Sequence, residues 1–226
     1  MSHGHRHTSG HEHEVEPQRG LPELLPADEK ILWQGSPDWQ AMARRAFHLR
    51  QVAVYFALML ALRGGVALAE GASTADALLK MLWLLPLAGV GLGLLALLAW
   101  LSARGTVYTL TSKRVVMRIG IVLTVTYNLP LKRIAAADLS LMASGHGDIA
   151  LALLKGDRIA WLQLWPHARP WRLAQPEPSL RAVPDAAQVA QRLTAAWSAA
   201  NGKSAVAQET APERYASAPR AVLQGR

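Results

Sequence analysis

The sequence predicts an α+β membrane protein: a two-helix transmembrane hairpin, then a small β-barrel or sandwich closed by a C-terminal helix. Three observations carry that expectation. Residues 81–101 contain no charged side chain at all. A second apolar run, residues 51–69, precedes it at hairpin distance. From Thr106 onward the apolar pattern changes to short runs rich in β-branched and aromatic residues, separated by turn residues.

Bulk composition does not reveal this. Of 226 residues, 51% are hydrophobic, close to the soluble average. The membrane signal lies in how those residues are distributed. The net charge of +8 suits either nucleic acid or an anionic membrane surface. Cysteine is absent, which removes disulfides, thiol nucleophiles and Cys-based metal sites from consideration.

Residues 1–25 read as a disordered, His-rich tail. His3, His5, His7, His11 and His13 alternate with small and acidic residues, a weak pattern for a divalent metal. Residues 26–50 read as an interfacial segment. Within it residues 31–33 suit a short strand, Gly35 to Pro37 a turn, and Asp38 a helix N-cap. Trp39 and Phe47 fit headgroup depth, and Arg44, Arg45 and Arg50 lie on the approach to the membrane.

In the first span Ala53, Ala57, Ala61, Gly65 and Ala69 recur every fourth position. That is the stripe over which another helix can approach closely, whether a client's or that of a second copy in a homodimer. Arg63 either snorkels to the interface or pairs with Glu70. The second span, 81–101, is long enough to cross a hydrocarbon core at about 1.5 Å per residue. Trp83 and Trp100 stand near its ends, and Gly89 and Gly93 form a GxxxG pair that would favour the first span as partner. Positive charge gathers on the side shared by both termini, through Arg44, Arg45, Arg50, Arg104, Lys113, Arg114 and Arg118. Both termini should therefore be cytoplasmic.

The β domain is expected over residues 105–200. Strands are predicted at 106–111, 114–119, 122–129 and 134–142. A hairpin is predicted from 149–154 and 158–164. After a Pro-rich stretch, Asp185 should start a helix over 185–200, with Val189, Leu193 and Trp197 facing the sheet. His146 and Asp148 read as parts of a Gly-rich turn. Residues 201–226 read as a second disordered tail.

Several segments resemble known proteins. Residues 28–39, the hairpin, residues 108–120 and the Leu129-Pro-Leu-Lys-Arg-Ile134 step resemble the bacterial membrane-anchored pleckstrin-homology-like domain. More narrowly, Gly20-Leu-Pro-Glu-Leu-Leu-Pro26, Arg44-Arg-Ala-Phe-His48 and Leu164-Trp-Pro-His-Ala-Arg-Pro-Trp-Arg-Leu-Ala174 resemble the PuhB family of photosynthetic-complex assembly proteins of purple bacteria. The resemblance implies an inner, photosynthetic membrane location. It also implies a role in assembling the reaction centre with its core light-harvesting complex, with those polypeptides as partners.

The residues fit a binding role. No phosphate loop, nucleophile elbow or zinc-protease motif is present, so no enzyme activity and no cofactor are expected. No histidine falls between residues 51 and 101 to hold a pigment from within the bilayer. Trp33, Trp39, Trp161, Trp165 and Trp171 are the candidate partner-docking residues. Arg44, Arg45, Arg114, Arg118, Lys132 and Arg133 are candidate contacts to lipid headgroups. Nucleic acid is not expected as a partner, because no reading motif accompanies the basic residues.

Overall fold

The computed structural model describes residues 20–21, 23–154 and 159–202. Strand β1 (Ile31–Gly35) leads to helix α1 (Trp39–Arg45), which starts where Asp38 accepts a 2.7 Å hydrogen bond from the Ala41 amide. Helix α2 (Leu49–Ala69) is followed by α3 (Thr74–Leu82) and α4 (Leu85–Gly105). The connection between the apolar segments is thus shorter than residues 70–80. Ser73 caps α3 by accepting from the Asp76 amide. Pro86 occupies the first turn of α4, where its missing N–H costs nothing. The apolar run predicted at 81–101 is therefore broken at residues 83–84, and α4 carries most of it.

Leu49–Ala69 and the near-continuous Thr74–Gly105 are long and apolar enough to cross a membrane. Only 11% and 6% of their most apolar stretches are buried within the protein. A core helix of a soluble domain would bury far more of such a surface. The helix–helix contacts are few and specific. A side chain on Gly64 would meet the Met81 sulfur at 2.6 Å, and one on Gly91 would meet the Phe56 ring at 3.5 Å. Glu70 lies 4.0 Å from Lys80, so its ion-pair partner is not Arg63.

The β domain contains β2 (Val107–Thr111), β3 (Arg114–Ile119), β4 (Val125–Pro130), β5 (Ile134–Leu141) and β6 (Gly147–Leu153). Helix α5 (Trp161–Leu164), strand β7 (Ser179–Val183) and helix α6 (Ala186–Asn201) complete it. All pairings are antiparallel, in two sheets ordered β1-β2-β3-β4 and β5-β6-β7. The sheets are not closed into a barrel, which corrects half of the barrel-or-sandwich expectation. β1 extends the first sheet, so the segment assigned to the membrane approach also donates a strand. Residues 161–164 are helical, not the strand expected over 158–164, and β7 emerges from the Pro-rich stretch instead.

One core unites both sheets and the last helix. Tyr108, Val115, Met117, Leu131, Ile149, Leu151 and Val183 are sealed in it, along with Val189 and Leu193 of α6. Each such apolar side chain contributes about 1.5–3 kcal/mol on burial. The predicted α6 face is the observed one, and Trp197 adds a 2.9 Å hydrogen bond from its indole N–H to the Ile134 carbonyl. Asp185 stands at the N-cap of α6 but makes no side-chain capping bond.

Candidate functional site

Helix α1 joins the hairpin to the sheets. Ala41, Met42 and Ala43 pack with Phe47, with Ala99 and Ala103 of α4, and with Ala182 of β7. Small residues at these positions let the α1 and α4 backbones come close. The Asp38 amide also donates to the Ala182 carbonyl at 2.9 Å. Beside this junction Asp148 accepts from the Ala182 amide at 2.8 Å and faces two guanidiniums, Arg45 at 3.4 Å and Arg181 at 3.5 Å. Asp148 lies on strand β6 and is buried, not in a turn as the sequence suggested. Arg45 also donates to the Ser140 hydroxyl at 2.7 Å.

These groups line a cavity of about 700 Å³ between the start of α2 and the second sheet. Arg44, Arg169 and Trp161 line it as well. Arg169 is compensated, donating to Asp138 at 2.6 Å and to Glu177 at 3.0 Å. Those carboxylates hold its guanidinium above the usual range against the opposing effect of burial. Among the described residues the Trp161 indole N–H and the Arg181 Nε–H are buried without a hydrogen-bond acceptor.

A second network lies behind the junction. The Arg181 amide donates to the Tyr108 hydroxyl at 3.1 Å, and that hydroxyl sits 2.6 Å from His167 Nδ1. His167 Nε2 is 3.1 Å from the Thr106 hydroxyl, which donates to the Ser102 carbonyl of α4 at 2.7 Å. Because Thr106 commits its one proton to Ser102, it must accept from His167. That places a proton on Nε2. Burial first, and the Arg181 charge second, push the His167 pKa down to about 3. Burial also raises the pKa of Tyr108. This chain ties the tryptophan–proline segment to the end of the apolar hairpin. Sequence reading did not single out His167, although it lies inside the segment that carried the narrowest resemblance.

The five candidate tryptophans do not form one surface. Trp33 packs partly against the core, and Trp39 is exposed on α1. Trp161 turns into the cavity. Trp165 meets Phe47 edge-on at 5.4 Å, and Trp171 is 95% exposed. Near Trp165 is the turn between β3 and β4, where Val122 and Leu123 are 89% and 84% exposed. That turn is fixed to the end of α4: a side chain on Gly105 would strike the Gly120 carbonyl at 2.0 Å. An exposed apolar rim thus surrounds the end of the hairpin.

The basic candidates also separate. Arg44 and Arg45 lie beside α2, and Arg118 sits near the hairpin end of β3, opposite Thr126. Arg114 begins β3, about 13 Å away along the strand, and is held by Glu29 at 2.8 Å. Lys132 and Arg133 follow β4 at that same far end. Arg114, Lys132 and Arg133 are therefore not grouped with the hairpin-side arginines.

Of the helix-packing candidates, Ala57, Ala61, Gly89 and Gly93 are exposed and Ala53 is half-buried. No atom lies within 4 Å of where a side chain on Gly89 or Gly93 would project. This corrects the expectation that the glycine pair faces the first span: Gly64 and Gly91 make those contacts, and the pair points outward. His3, His5, His7, His11 and His13 lie outside the described residues. Among the described residues no group of three His, Asp or Glu side chains is placed to hold a metal.

Fold and site together define a class: a small open-sheet binding domain built onto a two-helix apolar hairpin. The chain belongs to the bacterial PH domain family, whose family model matches residues 49–197, from the first residue of α2 into α6. It is 40% identical over 190 residues to an uncharacterized 23.7 kDa protein in the puhA 5′ region of Rhodobacter capsulatus. The match covers 83% of this chain and 88% of that relative. A solved structure of a DUF1696 family protein with a pleckstrin-homology domain, from Shewanella loihica, is similar at 13% identity and a TM-score of 0.27. That match covers 40% of this chain and 69% of the other.

Proposed function

We propose that this protein is a non-enzymatic assembly factor of the bacterial inner, photosynthetic membrane, docking reaction-centre and core-antenna polypeptides. The observation that carries the reading is the 40% identical relative from the puhA region of a photosynthetic bacterium, which gives the chain a photosynthesis-related context. The hairpin anchors the protein, with both termini on the cytoplasmic side. Incompletely packed client helices need a surface that backbones can approach, and the outward Ala57, Ala61, Gly89 and Gly93 offer one. The exposed rim of Trp165, Val122 and Leu123, and the separately exposed Trp171, support contact with the extramembrane part of the client.

Affinity capture of the full-length protein from pigment-producing membranes tests the docking step. Reaction-centre and core-antenna polypeptides should co-purify, and Trp165→Ala with Trp171→Ala should reduce their yield. Recovery of the protein without them favours the second reading, a general membrane-anchored lipid- or peptide-binding module, which membership of a PH domain family supports. The natural absence of cysteine makes topology simple to check. Ala75→Cys should be labelled from outside intact cells, and Ala216→Cys should not.

A further inference from the structure

We infer that the free edge of β5, with the groove between it and α6, takes up an extended segment of a client polypeptide as an added strand. The inference rests on the docking role proposed above and adds where, and in what conformation, the client is held.

The backbone comes first. β5 is the outer strand of the second sheet and pairs on one side with β6. Among the described residues its backbone from Ala135 to Leu141 makes no further backbone hydrogen bond. β4, the strand before it, belongs to the other sheet. Alternate N–H and C=O groups of this eight-residue strand therefore face outward, a ready template for another extended backbone. Lysine, proline or a covering segment commonly blunts such an edge. β5 contains neither residue, and its one charge, Asp138, is taken by Arg169 at 2.6 Å. Ala136 and Ala137 are small and exposed, so a second backbone can come close.

The faces of the strand define what the client brings. Asp138 and Ser140 are held on one face by Arg169 and Arg45 at 2.6 and 2.7 Å, which fixes the edge in place. On the other face Ala137 and Leu139 meet Ala187, Ala190, Gln191 and Thr194 of α6 across a groove of about 610 Å³. It continues past Ala135 to Trp197, whose indole is tied to the Ile134 carbonyl. This lining is mostly apolar, so the side chains entering it from the added strand are small or apolar.

Direction excludes a second copy as the occupant. Ser140 bonds to Arg45, and Met142, just past β5, packs with α1 and α4 beside the hairpin. Ile134 lies at the opposite end, next to Leu131–Arg133. β5 thus runs toward the membrane. Two β5 edges paired about a two-fold axis are antiparallel, which would turn one hairpin away from the membrane. A client anchored in the same membrane can lay an extramembrane arm along the edge without that conflict.

The test places the photocrosslinker p-benzoylphenylalanine at Thr194 of the full-length protein in pigment-producing membranes, with crosslinked peptides mapped by mass spectrometry. Thr194 should crosslink to an extramembrane segment of a reaction-centre or core-antenna polypeptide. Gln188, which faces a different cavity of α6, should not. Ala137→Lys puts a charge on the edge and Gln191→Trp fills the groove, so each should lower the crosslink several-fold. Thermal unfolding is recorded for both, and Gln191→Trp, at an exposed helix position, decides the matter if Ala137→Lys fails to fold. Hydrogen exchange over residues 134–141 should be slower in the captured complex than in the protein alone, which side-chain contact by itself would not produce. Crosslinks into residues 203–226 of the same chain, or into a second copy, overturn the assignment. So do equal yields from Thr194 and Gln188, full yield from folded variants, or unchanged exchange. The same crosslinker at Val122 scores docking separately. Client crosslinks from Val122 with none from Thr194 refute this inference alone, and none from either position refutes the docking role with it.

Discussion

Two arginine–carboxylate clusters stand at opposite ends of the β domain. At the far end of β3, buried Glu29 receives Arg114 at 2.8 Å and the Thr111 hydroxyl at 2.6 Å. One acid meets one arginine there, and Lys113 pairs outside it with Asp28. Beside the hairpin, one acid, Asp148, meets two arginines, and the buried Arg181 Nε reaches it only at 3.5 Å, too loosely for a hydrogen bond. The closed cluster needs nothing more and fastens the N-terminal segment to the sheet. The open cluster carries one more guanidinium than carboxylate. Residue types alone do not separate the two; the count of partners does.

The comparison can be broken by removing each acid. Asp148→Ala strands two guanidiniums, one of them buried, and should destabilise the domain by about 3–5 kcal/mol, read from denaturant unfolding of the full-length protein. Next in size is acidification. His167 is neutral in the fold with a pKa of about 3, against about 6.5 when unfolded. Its pKa is lowered by folding, so its contribution is complete above pH 6.5 and is lost as pH falls toward 3. Between pH 7 and pH 5 this amounts to about 2 kcal/mol. The unfolding midpoint measured against pH should fall over that window, and His167→Phe should flatten the change.

Glu29→Gln comes third, at about 1–2 kcal/mol, because the amide still accepts from Thr111. Burial raises the Glu29 pKa, but the hydrogen bonds from Arg114 and Thr111 outweigh it and the net shift is downward. That contribution is present at neutral pH and is lost only as pH falls below the ordinary carboxylate range. The same titration therefore separates the two effects by pH. The smallest change belongs to Gly89→Leu and Gly93→Leu. With nothing within 4 Å of either position, the isolated protein should keep its stability within about 0.5 kcal/mol. Any effect should appear only in recovery of client polypeptides.

Much of this was readable from the residues. Strands β2 and β3 lie where Thr-Val-Tyr-Thr-Leu-Thr and Arg-Val-Val-Met-Arg-Ile predict them, since β-branched runs between turn residues fit few alternatives. The α6 face followed from Val189, Leu193 and Trp197 at helical spacing. Strand β7 was hidden because Pro176 and Pro178 immediately precede it, and its pairing depends on β6 rather than on local pattern. Hairpin facing was misread for a similar reason. Small residues permit contact on either helix face, and the choice is made by the large partners, Met81 at Gly64 and Phe56 at Gly91. Asp148 looked like a turn residue because its role comes from Arg45, 103 positions away in the chain. The cavity shares that property: its arginines, Trp161 and the first turn of α2 become neighbours only after folding.

The central claim is that the protein serves the assembly of photosynthetic complexes. The most direct test is a deletion strain, with membrane absorption spectra recorded beside total extracted bacteriochlorophyll. Reaction-centre and core-antenna bands should fall while pigment synthesis is largely maintained, and the intact gene should restore the bands. Unchanged bands in the deletion strain would contradict the account, and loss of pigment synthesis itself would mean that the protein acts in pigment chemistry instead.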